Sequence, residues 1–119
     1  MSYVAIREFT PMIGKDAVLE DRILRTSDVI EKYGAVSRVG KVIGGHRAGD
    51  YELYNWYETV AAGASAMDGF SNDPDLKKIF EERALTPVAE MRGPWLGRML
   101  HNSKSTRANM RSLLLYPLF

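Results

Sequence analysis

The sequence predicts an α+β domain ordered β-α-β-β-α-β, an antiparallel sheet with two helical regions on one face. Three observations carry that prediction. The chain has 119 residues, 45% hydrophobic and 26% charged, enough for one core and too few for two. Four short runs rich in β-branched and aromatic residues alternate with two long segments of helical periodicity. Clusters of glycine and proline punctuate the joins.

The first strand is Tyr3–Thr10 (YVAIREFT), in which Val4 and Ile6 point one way and Tyr3, Ala5 and Phe9 the other. The break at 11–14 holds Pro11 and Gly14. Lys15–Tyr33 reads as a helix with Asp16 at its N-cap and Gly34 just past its end. Leu19, Ile23, Ile30 and Tyr33 form its apolar stripe, flanked by Val18, Leu24 and Val29. Ala35–Ile43 is the second strand, GGHRAGD (44–50) a glycine-rich hairpin loop, and Tyr51–Glu58 (YELYNWYE) an aromatic third strand. Thr59–Leu85 is the second helical region, interrupted at Asn72–Asp73, with Pro74 in the first turn of a new helix. A fourth strand lies in 88–101. Pro94 cannot donate to a ladder, so it marks a bulge or an edge and the pairing is expected mainly over Trp95–Leu100. This order is the split βαβ of the ferredoxin-like fold.

Composition narrows the functional classes. The net charge is +1, without the basic excess of a protein held by nucleic-acid phosphates. The segment 102–119 carries Lys104, Arg107 and Arg111 and no acid, so residues 1–101 hold 13 basic against 15 acidic residues. An exposed aromatic sheet could stack RNA bases, but the acidic body and the lack of an RNP-type motif argue against it. No cysteine is present, which excludes disulfides, a thiol nucleophile and Cys-ligated metal. Arg7 and Glu8 interrupt any secretory apolar run, and nothing approaches the ~20 apolar residues of a membrane span. A cytoplasmic location is the expectation.

The strands carry large apolar groups on both faces, including Tyr54, Trp56, Leu53, Tyr57, Trp95 and Leu96. Helices cover one face, and the other would exceed the few hundred Å² of apolar patch that monomers tolerate. Hiding roughly 600–800 Å² at about 25 cal/mol per Å² contributes roughly 15–20 kcal/mol before association costs. A homodimer through the sheet face follows as the expectation. The alternative is a monomer whose tail folds over its own sheet. The domain division is 1–101 for the folded unit and 102–119 for a basic-apolar arm ending LLLYPLF.

Element order, the helix ending "KYGA", the strand "YELYNWYE" and the helix "DPDLKKIFEERA" together resemble the dimeric α/β-barrel superfamily. Its members include antibiotic-biosynthesis-type monooxygenases, EthD-like and NIPSNAP-type proteins. The resemblance covers residues 3–101 and implies a pocket between sheet and helices lined by Asn, Trp and Tyr side chains. On this chain those are Asn55, Trp56 and Tyr57. It implies a planar aromatic substrate, hydrogen-bonded by Asn55 or Tyr57 as a carbanion develops, and direct reaction with O₂ without a cofactor. The heme-degrading branch uses a helix-borne His, and Thr59–Leu85 has none.

Strand alternation sets Asn55 with Tyr57 on one face and Tyr54 with Trp56 on the other. Asn55 is the most telling of these, because a buried amide requires hydrogen bonds. The bland reading makes all four core or interface residues. Of the two histidines, His46 sits in the loop beside Arg47 and Asp50, where it could act as a general base, and His101 follows the last strand. Their spacing supports no metal site. Arg7, Arg38 and Arg98 lie within strands, either paired with Glu8, Glu52 or Glu58 or aimed into a pocket for an anionic substrate. Arg38 joins Trp56 and Tyr54 as a candidate substrate contact. Phosphate-loop and nucleophile-elbow patterns are lacking. The sequence leaves a monooxygenase-like enzyme and a non-catalytic dimeric binding module both open.

Overall fold

The computed structural model describes residues 2–100, so the arm 102–119 and His101 lie outside the described residues. The elements run β1 (Tyr3–Pro11), α1 (Asp16–Glu31), β2 (Val36–Lys41), β3 (Tyr51–Tyr57), α2 (Val60–Ser71), α3 (Pro74–Leu85) and β4 (Ala89–Arg98). The strand order is β2-β3-β1-β4 and every neighbouring pair is antiparallel. This is the α+β, ferredoxin-like arrangement expected from the sequence.

Alternation assigns the faces. In β1 and β3 the odd-numbered residues face the helices: Ala5 beside Asn55, Arg7 beside Leu53, Phe9 beside Tyr51. Leu19, Ile23 and Ile30 of α1 close on Tyr51, Leu53 and Tyr57 to make the main core, which Ala66, Phe70 and Leu76 complete from α2 and α3. Val18 and Leu24, at the flank of the α1 stripe, are exposed. Lys15 rather than Asp16 occupies the N-cap of α1. Asp16 instead opens the helix, where its charge favours the positive end of the dipole. Gly34, at φ +92°, ends this segment as the sequence suggests.

Side-chain capping opens both α2 and α3. The Thr59 hydroxyl accepts from the Ala62 N–H at 3.0 Å, and the Asp73 carboxylate accepts from the Asp75 N–H at 2.8 Å. Pro74 takes the first helical position. The Tyr33 ring lies so close to Gly69 that an added Cβ would sit 2.5 Å from it.

The fourth strand differs from expectation. Pairing starts at Pro11↔Ala89 and continues past Pro94 to Tyr3↔Arg98, so Pro94 does not confine it to the C-terminal half. Ladder partners are Glu8↔Arg92 and Ile6↔Trp95, which places Gly93 and Pro94 opposite Arg7 alone. That is a β-bulge, and it absorbs the missing proline N–H. Gly93 has φ +95°, and a Cβ there would meet the Ile6 carbonyl oxygen at 2.7 Å.

Candidate functional site

The helices do not cover the sheet evenly. α1 packs on β2 and β3, α2 packs on β3, and α3 leans on α1 and α2. Above β1 and β4 lie two neighbouring hollows. One, of about 240 Å³, is walled by Arg7, Phe9, Ile23, Phe80, Val88 and Met91 among others. The second, of about 200 Å³, lies between α2 and the strand ends, over Tyr3 and Ala5, with Tyr57, Ala64, Met67 and Leu96 around it. Pro94 borders both.

Arg7 is the chemical feature of the first hollow. It stands on a central strand, faces the helices, and makes no hydrogen bond or ion pair among the described residues. Burial pushes its guanidinium down from the usual value. The Tyr57 phenol opposes that shift and Arg83 adds to it. An arginine remains protonated even so. Burial likewise pushes the Tyr57 phenol up, with Arg7 pulling against it, so the two groups feel one another across the floor. Arg22 also lines the hollow, but Nη1 donates to the Thr86 carbonyl at 2.7 Å and Nε lies 3.8 Å from Glu82. Arg83 lies at the rim, its guanidinium 4.8 Å from the Phe80 ring centre and 3.9 Å from the Met91 sulfur. Among the described residues no carboxylate lines this hollow, so its largely apolar walls hold Arg7 without a counter-ion from those residues.

The residues singled out from the sequence are dispersed. Asn55 and Tyr57 face the helices, whereas Tyr54, Trp56 and Arg38 occupy the opposite face. The expectation that Asn55, Trp56 and Tyr57 line one pocket under the helices therefore fails for Trp56, because adjacent strand residues point apart. Asn55 is fully buried and borders neither hollow. Its Oδ1 accepts from the Ser37 hydroxyl at 2.8 Å, which accepts from Ser27 at 2.7 Å, and its Nδ2 has no partner among the described residues. Tyr57 alone of the six reaches a hollow. Trp56 packs with Val4, Ile6, Val36 and Tyr54 on the open face.

Arg38 is exposed, and its Nη1 donates to the Ser37 carbonyl at 2.7 Å. The Tyr54 hydroxyl donates to Glu52 at 2.7 Å, and burial first, then that carboxylate, pushes its pKa upward. His46 is exposed in the loop before β3, whose first residue is Tyr51. Asn55 lies four strand residues, about 13 Å, beyond the start of β3.

The sequence offers Arg7 either pairing with Glu8, Glu52 or Glu58 or a place in a pocket. Glu8 and Glu52 face the other side. There Arg47 reaches Glu8 at 2.6 Å and Glu52 at 3.5 Å, while Arg92 reaches Asp50 at 3.1 Å. Arg7's position between Ala5 and Phe9 was the available signal. Among the described residues no group of three or more His, Asp or Glu side chains is placed to hold a metal ion, and no helix is long and apolar enough to cross a membrane.

No family model and no curated protein matches the sequence. Solved structures do resemble it. A provisionally assigned antibiotic biosynthesis monooxygenase from Deinococcus radiodurans superposes with a TM-score of 0.60 at 8% identity, over 81% of this chain and 90% of that one. An uncharacterised NIPSNAP domain protein from Burkholderia xenovorans gives 0.59 at 16%, over 78% and 94%. An uncharacterised NIPSNAP-like domain protein from the same organism gives 0.64 at 13%, over 88% and 89%. At these identities the likeness speaks for architecture alone, and it agrees with the strand order and helix placement above: the chain has the ferredoxin-like fold that antibiotic-biosynthesis-monooxygenase-like and NIPSNAP proteins share.

Proposed function

We propose that the chain binds a small, planar, largely apolar molecule with one acidic oxygen, and that it acts on that molecule as a cofactor-independent, monooxygenase-like enzyme. The observation that carries the binding reading is Arg7 in a largely apolar hollow, with no hydrogen bond or ion pair among the described residues. A charge in such a place is costly without a partner, and a ligand anion would supply one. The volume, about 240 Å³, exceeds the about 150 Å³ that admits benzene, so a two-ring aromatic suits it. Arg7 would favour the phenolate of an aromatic substrate, and a phenolate is electron-rich enough to pass electrons to dioxygen. The architecture shared with the Deinococcus protein is consistent with that chemistry.

The test uses 1-naphthoate, its neutral analogue 1-naphthalenemethanol, and 1-naphthol. Calorimetric titration is expected to show the carboxylate binding at least about tenfold more tightly than the alcohol, with Arg7→Met erasing the difference. With 1-naphthol, an oxygen electrode should record uptake that Arg7→Met removes. Binding without uptake would favour the non-catalytic module. No saturable binding, or binding indifferent to Arg7, would overturn both.

We also propose a twofold homodimer through the open sheet face. Trp95, half exposed, paired with Ile6 of the open-face cluster and also bordering the second hollow, supports this reading. Sedimentation at micromolar concentration should give the two-chain mass, and Trp95→Glu should give the one-chain mass. A one-chain mass for the unaltered protein would overturn it.

A further inference from the structure

The two hollows over β1 and β4 lie in one line. Tyr3 and Ala5 floor the second, Arg7 and Phe9 the first, and all four are successive helix-facing positions of β1. Pro94, opposite Arg7 in the bulge, borders both. The unpaired guanidinium thus stands near the boundary between two apolar basins rather than at a blind end. The second basin has little polar about it. Tyr57 offers a hydroxyl with no hydrogen bond among the described residues, while Val60, Met67 and Leu96 are left 51%, 39% and 60% exposed. So much uncovered apolar side chain beside an apolar hollow is what a flexible hydrocarbon arm would cover.

We infer that the two basins form a single elongated site, so that the ligand carries its anionic oxygen between two apolar parts: a rigid ring in the basin under α3 and a narrower arm running under α2. This rests on the proposed binding at Arg7 and adds the shape of the molecule. Arg7 fixes the anion, Tyr57 stands on the arm's side of it, and the Gly93–Pro94 bulge sets the low wall between the parts. A molecule whose acid group terminates it would fill only one basin.

The test compares 1-naphthoate with 2-alkoxy-1-naphthoates, whose arm leaves the ring beside the carboxylate, and with 4-alkoxy isomers, whose arm leaves from the far side. A buried methylene is worth about fourfold in affinity. From methoxy to butoxy the 2-series is expected to gain at least about tenfold and the 4-series nothing. Ala64→Phe, which places a ring in the second basin from an exposed position on α2, should bring the ratio of 2-butoxy to 2-methoxy affinity close to one. Met67→Trp should do the same, and circular dichroism checks that each variant is folded. Equal gains in both series, or a ratio that neither variant changes, would overturn the inference while leaving the reading at Arg7 intact. A parent naphthoate that fails to bind would overturn both. If Ala64→Phe shifts the sedimenting mass and no arm effect exists, a second copy covers this basin and the inference falls.

Discussion

The β2–β3 half of the sheet and the β1–β4 half offer the helices similar pleated surfaces, yet one is filled and the other is hollow. Over β3, Leu53 and Tyr51 are 1% and 2% exposed in the main core with Ile23 and Ile30 of α1, and Leu53, Ile23 and Ile30 form the inner border of the first hollow. Over β4, Met91 and Leu96 are 42% and 60% exposed, and the helices stand away. Polar groups follow the same division. In the filled half Ser27, Ser37 and the Asn55 Oδ1 are linked by side-chain hydrogen bonds, and only the Asn55 Nδ2 of that chain lacks a partner among the described residues. In the hollow half Arg7 has no hydrogen bond or ion pair among the described residues. A buried polar group that the fold can pair belongs to the fold; one that the fold leaves unpaired, beside empty space, is where a ligand can contribute.

The comparison breaks first at Leu53. Leu53→Ala should destabilise the protein by about 3 kcal/mol, because it removes a side chain only 1% exposed from the main core and enlarges the hollow it borders. Urea unfolding measures it. Ala89→Leu, which adds volume at the wall of the first hollow, should change stability by under about 1 kcal/mol while abolishing naphthoate binding. Equal and large losses in the two variants would mean that both halves are packed alike. Gly93→Ala comes next, at about 2 kcal/mol. Its Cβ would meet the Ile6 carbonyl oxygen and its φ is positive. The bulge that carries Pro94 past Arg7 should distort, so binding weakens as stability falls. A fully stable Gly93→Ala protein would show that the bulge tolerates a side chain.

The filled half was the legible half. The period of α1, the aromatic alternation of β3 and the Asn72–Asp73–Pro74 break each predict an element the structure contains, because local spacing alone determines them. The hollow half was not legible. Whether a helix reaches β4 depends on helix orientation, which no residue period encodes. Pro94 read as a limit on pairing, but a two-residue bulge lets the ladder resume beyond it. Arg7 was open to pairing because Glu8 is its neighbour in sequence, and strand alternation makes that neighbour its least accessible partner. Asn55 marked itself as an amide that must be hydrogen-bonded. Its partner Ser37 comes from β2, and pairing register is needed to see it.

Asn55 sharpens the comparison at a smaller scale. Asn55→Ala removes the acceptor of the Ser37 hydroxyl and should cost about 1–2 kcal/mol. Because Asn55 borders neither hollow, naphthoate affinity should stay within about twofold of the unaltered protein once folding is allowed for. A large loss of affinity at full stability would return Asn55 to the binding site.

The smallest expected effect concerns the joint that holds α3 over the hollow half. The Asp73 carboxylate accepts from the Tyr33 hydroxyl at 2.7 Å and from the Asp75 N–H at 2.8 Å, with the Lys32 ammonium 3.8 Å away. The Tyr33 bond chiefly holds its pKa below the usual carboxylate value, against the opposing effect of burial, and the Asp75 N–H and Lys32 reinforce it. A folded pKa lower than the unfolded one means that the ionised form stabilises the fold. That stability is fully present above the unfolded value of about 3.9 and is lost as pH falls through the lower, folded value. Asp73→Asn keeps an acceptor for the helix cap and removes the charge. Its melting temperature should lie a few degrees below that of the unaltered protein at pH 7. As the pH is brought below about 4, the two should converge. A gap that stays constant from neutral to acid pH would mean that the cap geometry, and not the carboxylate charge, anchors this end of α3.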